Sequence, residues 1–182
     1  SYPGFTPSTA DPFKVPTFQE VVSLVQTQSS ATGRRVGLYP EAKQADPVME
    51  DGILKTLTQN SYGPQSKVFI QSFSDATLRS LRNKEIAQNN KMPLILLGAA
   101  VTDKDAEGAG LVINTAAYPI TKDYITQVHA AGLKVHGWTF AQADATLSAA
   151  EYRKYLDMGM DGMFANYPDL GVAARNNFVK AK

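Results

Sequence analysis

The chain contains no cysteine, and this absence removes several kinds of chemistry at once. Disulfide bonds, thiolate metal sites and a cysteine nucleophile are all excluded. No apolar run approaches the ~20 residues that a membrane-spanning helix requires, so we expect no membrane span. A formal net charge of +1 gives no reason to expect nucleic acid or an anionic membrane as a partner.

Histidine is also scarce, with two residues among 182. His129 falls in the middle of a predicted helix, which is typical of a surface or packing histidine. His136 falls in a predicted strand, where a hydrogen-bonded core role and a pocket role both stay open. The remaining composition, 43% apolar and 19% charged, is that of an ordinary globular domain with a core of useful size.

Predicted strands and helices alternate along the chain after a proline-rich opening, residues 1–16, which we interpret as an extended entry loop. Strands are predicted near residues 36, 68, 94, 134 and 163. Helix starts are predicted at capping signals, including a capping box at Thr17 and Glu20, another at Ser148 and Glu151, and an N-cap at Asp169. This alternation over 17–182 indicates a parallel α/β fold, either an open doubly wound sheet or part of a (β/α)8 barrel. No glycine-rich phosphate loop follows any strand, which disfavours the nucleotide-binding open sheets.

Polar and aromatic residues lie at the predicted carboxyl ends of the strands, where ligands sit in both architectures. Glu41 and Lys43 end the first strand, and alternation places them together on the side opposite Val36 and Leu38. Pro40 cannot donate to a strand ladder, so we predict a bulge beside Glu41. The same alternation predicts that further side chains face a common pocket: Phe69, Gln71, Phe73, His136, Trp138, Phe140, Phe164 and Asn166.

The pair Glu41 and Lys43 has two interpretations. A carboxylate suits a hard cation such as Mg²⁺ or Ca²⁺, and a neighbouring lysine suits an anionic substrate, so a bridging phosphate would satisfy both. Alternatively, the two residues form an ion pair on a solvated strand end, which is common where opposite charges share one face.

Several runs of the chain, in this order, resemble the glycerophosphodiester phosphodiesterases, most closely their secreted or periplasmic branch. The runs are VPTFQEVVSLV, GRRVGLYPEAK, KVFIQSFS, HAAGLKVHGWTF and LDMGMDGMFANYPDL. The resemblance implies a (β/α)8 barrel that hydrolyses glycerophosphodiesters to glycerol 3-phosphate and an alcohol with a divalent cation, Ca²⁺ or Mg²⁺. It also implies that Glu41 binds the metal, and that Lys43, Gln71, Trp138 and Asn166 contact substrate. Asn166 replaces an aspartate that is frequent in the family.

The chain departs from the family in lacking its catalytic histidine motifs and the other metal ligands of the amino-terminal strands. The resemblance therefore covers barrel strands four to eight, and we expect an N-terminal fragment or a companion chain to complete the barrel. We also expect the 182 residues alone to be inactive and the complete protein to be secreted or periplasmic. Two alternatives stay open: a non-catalytic half-barrel that binds or supports a partner, and a related phospholipase barrel with another substrate.

Overall fold

Parallel strands alternate with helices through the computed structural model, which describes residues 15–98, 106–115 and 119–180. The helices are α1 (Phe18–Thr32), α2 (Pro47–Gln59), α3 (Asp75–Ala87), α4 (Lys122–Ala130), α5 (Ala145–Met158) and α6 (Pro168–Lys180). The strands are β1 (Ile70–Ser72), β2 (Leu94–Leu97), β3 (Gly108–Val112), β4 (Lys134–Phe140) and β5 (Gly162–Ala165). None of the described helices is long and apolar enough to cross a membrane.

The strands form one sheet in the order β1-β2-β3-β4-β5, and every neighbouring pair is parallel. A doubly wound sheet reverses its strand order at a switch point, and this sheet does not. The sheet also curls, because the ring of Tyr39, ahead of β1, lies 4.9 Å from the ring of Phe164 in β5. The fold is therefore a partial (β/α) barrel, as the family resemblance implied. The open sheet, which the repeat pattern had left as an alternative, is wrong.

The first predicted strand is less regular than expected. Leu38 and Glu41 each form an isolated parallel bridge, with Val68 and Gln71 respectively, and the bridges are equally spaced on both segments. No extra residue is inserted, so the predicted bulge is wrong; the ladder is instead interrupted at Pro40, which has no N–H to donate. We call residues 38–42 the bridged segment.

Strand β3 was not counted among the five predicted repeats. The sequence indicated only a partly extended stretch there, because GAGLV begins with two glycines and an alanine and carries little strand signal. Both glycines lie against neighbouring strands: a Cβ at Gly110 would lie 2.4 Å from Leu97 Cδ2. Close strand packing, rather than β-propensity, therefore selects these residues.

Helix starts were predicted correctly at some positions and wrongly at others. Thr17 forms the predicted capping box, accepting a hydrogen bond from Glu20 N while the Glu20 side chain accepts from Thr17 N. The box at Ser148 is wrong, because Asp144 caps α5 four residues earlier and Ser148 is buried inside the helix. Asp169 lies in the first turn of α6 rather than at its N-cap. Most of the predicted entry loop, residues 1–14, lies outside the described residues.

The hydrophobic core lies between the strands and the outer helices, in two clusters. One packs α1, α2 and α3 onto the bridged segment, β1 and β2, with Leu38, Leu57 and Ile70 buried. The other packs α4 and α5 onto β3, β4 and β5, with Ile125, Val135 and Phe140 buried. Because the outward rows of the strands carry this apolar packing, the inward rows are left to form the interior of the partial barrel.

Candidate active site at the carboxyl ends of the strands

Two hydrogen bonds hold the end of the bridged segment against β1. Ala42 N donates to Gln71 O (2.9 Å), and Ser72 Oγ donates to Ala42 O (2.7 Å). Ala42 is fully buried on the helix side of the sheet. Its neighbours Glu41 and Lys43 consequently project to the opposite side, as period-two alternation predicted.

A cavity of about 270 Å³ opens at this carboxyl end of the sheet. It is lined by Glu41, Lys43, Gln71, Phe73, Leu97, Trp138, Thr139 and Phe164. Four of the five residues predicted to bind metal or substrate thus line one cavity. Asn166 is exposed just beyond β5, donates its backbone N–H to Phe140 O (2.9 Å), and does not line the cavity.

Glu41 and Lys43 form an ion pair and line the cavity at the same time. Lys43 Nζ lies 3.0 Å from Glu41 Oε2, with the lysine side chain 75% exposed and the glutamate 18%. The other carboxylate oxygen, Glu41 Oε1, is buried and has no hydrogen-bond partner among the described residues. The two interpretations of this pair therefore do not exclude each other, because the ion pair engages only one of the two carboxylate oxygens.

The remaining cavity wall combines an amide with aromatic rings. Gln71 is 7% exposed, and its Oε1 is buried without a partner among the described residues. Phe73 and Trp138 meet edge to face at 5.8 Å, and Phe73 is 54% exposed. The indole Nε1 of Trp138 is likewise buried and has no hydrogen-bond partner among the described residues. Alternation predicted the inward direction of Gln71, Phe73 and Trp138 correctly.

The prediction that Phe140 faces the pocket is wrong. Phe140 is 1% exposed and stacks on Tyr152 of α5, with ring centroids 4.5 Å apart, on the helix side. The pairing of β4 with β5 shifts register between Gly137 and Phe140, and this irregularity reverses the alternation. The same shift brings Thr139 to the cavity, which the sequence could not indicate.

Leu97 was also missed as a cavity residue. It is the last residue of β2 and carries the same apolar signature as the buried residues before it. Only its position at the carboxyl end of the strand distinguishes it, and that boundary is the least certain part of a sequence-based assignment.

His136 does not line this cavity; it is buried and lines a second cavity together with Tyr39, Phe69 and Phe164. Its Nδ1 lies 2.6 Å from the Tyr39 hydroxyl, inside a cluster of rings that also contains Phe69 and Phe164. Burial lowers the pKa of His136 and raises the pKa of Tyr39, so both groups are held in their neutral forms. His136 is therefore a buried, hydrogen-bonded residue, as the core interpretation predicted, but it also lines a cavity.

The other histidine lies at the amino-terminal ends of the strands. His129 Nε2 contacts Asp161 Oδ2 at 2.8 Å, and the same carboxylate accepts hydrogen bonds from Val135 N (2.9 Å) and Lys134 Nζ (3.2 Å). Burial alone would raise the pKa of Asp161, but these hydrogen bonds outweigh it and hold that pKa below its ordinary value. Lys134 and Asp161 line the same second cavity as His136, and its volume is about 440 Å³.

Oxygen atoms at the carboxyl-end cavity fit a hard divalent cation in kind, although they are few. Glu41 Oε1 and Gln71 Oε1 are the carboxylate and amide oxygens that Ca²⁺ and Mg²⁺ accept. In the described part of the chain, no group of three or more His, Cys, Asp or Glu residues could hold a metal ion. These residues would hold a cation only as part of a larger ligand set that includes water or further protein oxygens.

Together, the fold and this cavity define a partial (β/α) barrel with a polar ligand site at the carboxyl ends of its strands, as in barrel enzymes generally. A sequence model of the glycerophosphoryl diester phosphodiesterase family matches residues 3–170. The chain belongs to this family.

Individual relatives agree with the family assignment. A glycerophosphodiester phosphodiesterase of Bacillus subtilis (strain 168) is 30% identical over 170 residues, which cover 86% of this chain and 53% of that protein. The chain therefore spans about half the length of this curated relative.

Solved structures share the fold at lower identity. An Oleispira antarctica phosphodiesterase, in complex with the product sn-glycerol-3-phosphate, superposes with a TM-score of 0.64 at 19% identity, over 88% of this chain and 61% of that one. A glycerophosphoryl diester phosphodiesterase from Parabacteroides distasonis superposes with a TM-score of 0.61 at 14% identity, over 92% of this chain and 57% of that one. These neighbours confirm the barrel type of the fold.

Proposed function

We propose that this chain forms the carboxyl-terminal part of a metal-dependent glycerophosphodiester phosphodiesterase. The complete protein would hydrolyse glycerophosphodiesters to glycerol 3-phosphate and an alcohol. The observation that carries the proposal is the cavity in which Glu41 and Lys43 lie side by side, within a chain that belongs to the phosphodiesterase family.

Each cavity residue has a role that its chemistry supports. Lys43 is mostly exposed at the rim, and its ammonium would attract and orient the phosphate of the substrate. Phe73 and Trp138 form an apolar wall against which the carbon chain of the glycerol would pack. Asn166, just beyond β5, would contact substrate only at the outer edge of the site.

The cation belongs to the same proposal. Glu41 would hold Ca²⁺ or Mg²⁺ through Oε1, the oxygen that the ion pair with Lys43 leaves free. When bound, a divalent cation stabilises negative charge on a phosphoryl oxygen. Since Glu41 is the one described acid lining the cavity, the remaining ligands would come from water, from uncharged oxygens or from another part of the complete protein.

General acid–base catalysis is the part of the reaction that the described residues do not supply. Such catalysis requires a group that titrates near neutral pH within reach of the substrate. Both histidines have structural partners, and neither lines the cavity. We therefore expect the acid and base to be carried by an N-terminal fragment or companion chain that completes the barrel.

The decisive experiment is an assay of glycerophosphocholine hydrolysis, with Ca²⁺, with Mg²⁺ and with a chelator. We expect the 182-residue chain alone to show no turnover, and the longer polypeptide encoded upstream to release glycerol 3-phosphate only with a cation. In that polypeptide Glu41→Gln should lower the rate at least about 100-fold, whereas Asp75→Asn, which removes an exposed carboxylate on α3, should not. Metal-dependent turnover by the isolated chain would contradict this division of roles.

A non-catalytic half-barrel is the second candidate, and the structural partners of both histidines favour it. Upstream sequence without histidines at strand ends, together with no hydrolysis in the assay above, would establish this candidate instead.

Export to the periplasm or the medium is also part of the main proposal, supported by the resemblance to the secreted branch. Fractionation of source cells, with detection of the chain in each fraction, tests it.

A further inference from the structure

Three buried polar atoms without a hydrogen-bond partner lie on side chains that line the carboxyl-end cavity. They are Glu41 Oε1, Gln71 Oε1 and Trp138 Nε1. A buried polar atom left unpaired lowers stability, and native proteins seldom tolerate several at one place. Their concentration at one cavity indicates that a ligand supplies the missing partners.

Two of these atoms are acceptors on neighbouring segments. Glu41 and Gln71 are direct partners in a parallel bridge, and their side chains project to the same side of the sheet. Neither acceptor can satisfy the other, because a carboxylate oxygen and an amide oxygen both lack a proton to donate. A ligand that meets both must bring positive charge or donors to the space between the segments.

We propose that Gln71 is a cation ligand, binding through Oε1 beside Glu41, rather than a contact for substrate. The proposal rests on the proposed function, since it presumes that Glu41 Oε1 holds a cation there. Among the described residues Glu41 has no acidic or histidine neighbours that would complete a metal site. A neutral amide oxygen, nine-tenths buried and lacking a partner, is the second protein oxygen that the cavity offers.

The ion pair with Lys43 is compatible with this geometry. Lys43 Nζ approaches Oε2, whereas Oε1 and the amide oxygen of Gln71 are both buried and without a partner among the described residues. A cation at Oε1 would therefore not need to displace the ammonium.

The chain provides its own optical probe for this site. Trp138 is the single tryptophan and lines the cavity, so an ion bound there lies near the indole. Tb³⁺ takes oxygen ligands as Ca²⁺ does, and it luminesces when a nearby excited indole transfers energy to it. Excitation at the long-wavelength edge of indole absorption avoids the tyrosines. Titration with Tb³⁺, then competition with Ca²⁺ and Mg²⁺, reports binding without any assay of hydrolysis.

The test compares variants of the full 182-residue chain. Gln71→Met keeps the length of the side chain and replaces the amide with a thioether, a poor ligand for hard cations. We expect it to weaken Tb³⁺ and Ca²⁺ binding at least about tenfold relative to wild type. Gln71→Glu, which keeps an oxygen ligand, should bind both ions as tightly as wild type or more tightly. Gln127→Met, at an exposed position of α4, is the matched control and should leave both affinities unchanged. Far-UV circular dichroism confirms that each variant is folded.

The outcomes separate this inference from the proposed function. If Glu41→Gln abolishes binding and Gln71→Met leaves it unchanged, Gln71 is not a ligand and the inference is overturned while the cation site stands. If neither substitution changes Tb³⁺ binding, the cation site at Glu41 fails as well. Should Gln71→Met not fold, Gln71→Leu replaces it, with the same expected loss and the same overturning result.

Discussion

At the residue scale, the structure separates the chemistry of the cavity from the residues that hold the barrel interior together. Tyr39 and His136 form a neutral hydrogen-bonded pair two residues below Glu41 and Trp138 along their segments. The rings of Phe69 and Phe164 enclose this pair. Beneath the cavity, therefore, lies a layer of aromatic rings in which His136 is hydrogen-bonded to Tyr39.

This pairing predicts the effect of Tyr39→Phe. The substitution keeps the ring and removes the hydroxyl, which leaves His136 Nδ1 buried without its partner. We expect the free energy of unfolding to fall by about 1–3 kcal/mol, the cost of an unsatisfied buried polar group. Chemical denaturation at neutral pH measures it.

The control for this prediction is Tyr167→Phe, at a tyrosine that is 42% exposed. Its removal of a hydroxyl should change stability by no more than about 0.5 kcal/mol. Equal effects of the two substitutions would show that the contact between Tyr39 and His136 contributes nothing specific.

At the element scale, a network of charged side chains attaches α3 to the starts of β2 and β3. Arg82 Nη1 donates to Glu85 Oε2 (2.7 Å) and to Met92 O (3.1 Å), and Arg82 Nη2 donates to the carboxylate of Glu107. Glu107 in turn accepts a hydrogen bond from Leu94 N (2.7 Å). The arginine thus connects a helix, the start of β2 and the residue that precedes β3.

The network predicts a pH dependence of stability that arises from Glu85. Burial raises the pKa of Glu85 from its ordinary 4.5 to about 7, against the opposing charge of Arg82. Between these two values the folded chain holds a proton that the unfolded chain releases, so this group makes stability fall as pH rises. Glu85→Gln removes the effect. We expect the stability of the variant relative to wild type to increase from about pH 4.5 to about pH 7.

Urea denaturation across this range measures the difference at each pH. Asn83→Gln, a substitution of one exposed amide by another on the same helix, should follow the wild-type pH dependence throughout. A difference between Glu85→Gln and wild type that stays constant with pH would contradict the assignment to Glu85.

At the scale of the whole molecule, the partial barrel has two sides without a described neighbour. In the described part of the chain, the bridged segment pairs only with the residues around β1, and β5 pairs only with β4. All four residues of β5 are partly exposed, in contrast to the fully buried β2. Unpaired strand edges favour association with further strands.

These edges predict that the chain from its source is isolated with a partner. Gel filtration of material from the source, followed by intact-mass analysis, should show the 19.7 kDa chain together with a second polypeptide or as part of a longer one. Expressed alone, the chain should stay in solution but associate through these edges. A stable monomer of 19.7 kDa with nothing bound would count against the companion chain.

The amino-acid sequence by itself determined the alternation of strands and helices, the start of α1 at its capping box, and the inward direction of Glu41, Lys43 and Gln71. These features depend on neighbours within a few positions, and period-two alternation and capping are local rules. The family resemblance added the barrel and the chemistry expected of the cavity. Short-range pattern and motif together therefore located most of the candidate site.

Only the tertiary structure decided the features that depend on contacts between distant segments. The register shift between β4 and β5 accompanies the outward direction of Phe140 and the inward direction of Thr139, and period-two alternation within β4 does not predict it. Strand β3 exists because its small residues fit between neighbours, and His136 has a hydrogen-bond partner because Tyr39, remote in the chain, reaches it. The contact between Tyr39 and His136 also requires the sheet to curl, because curvature brings the first segment close to β4, which is not its neighbour in the sheet.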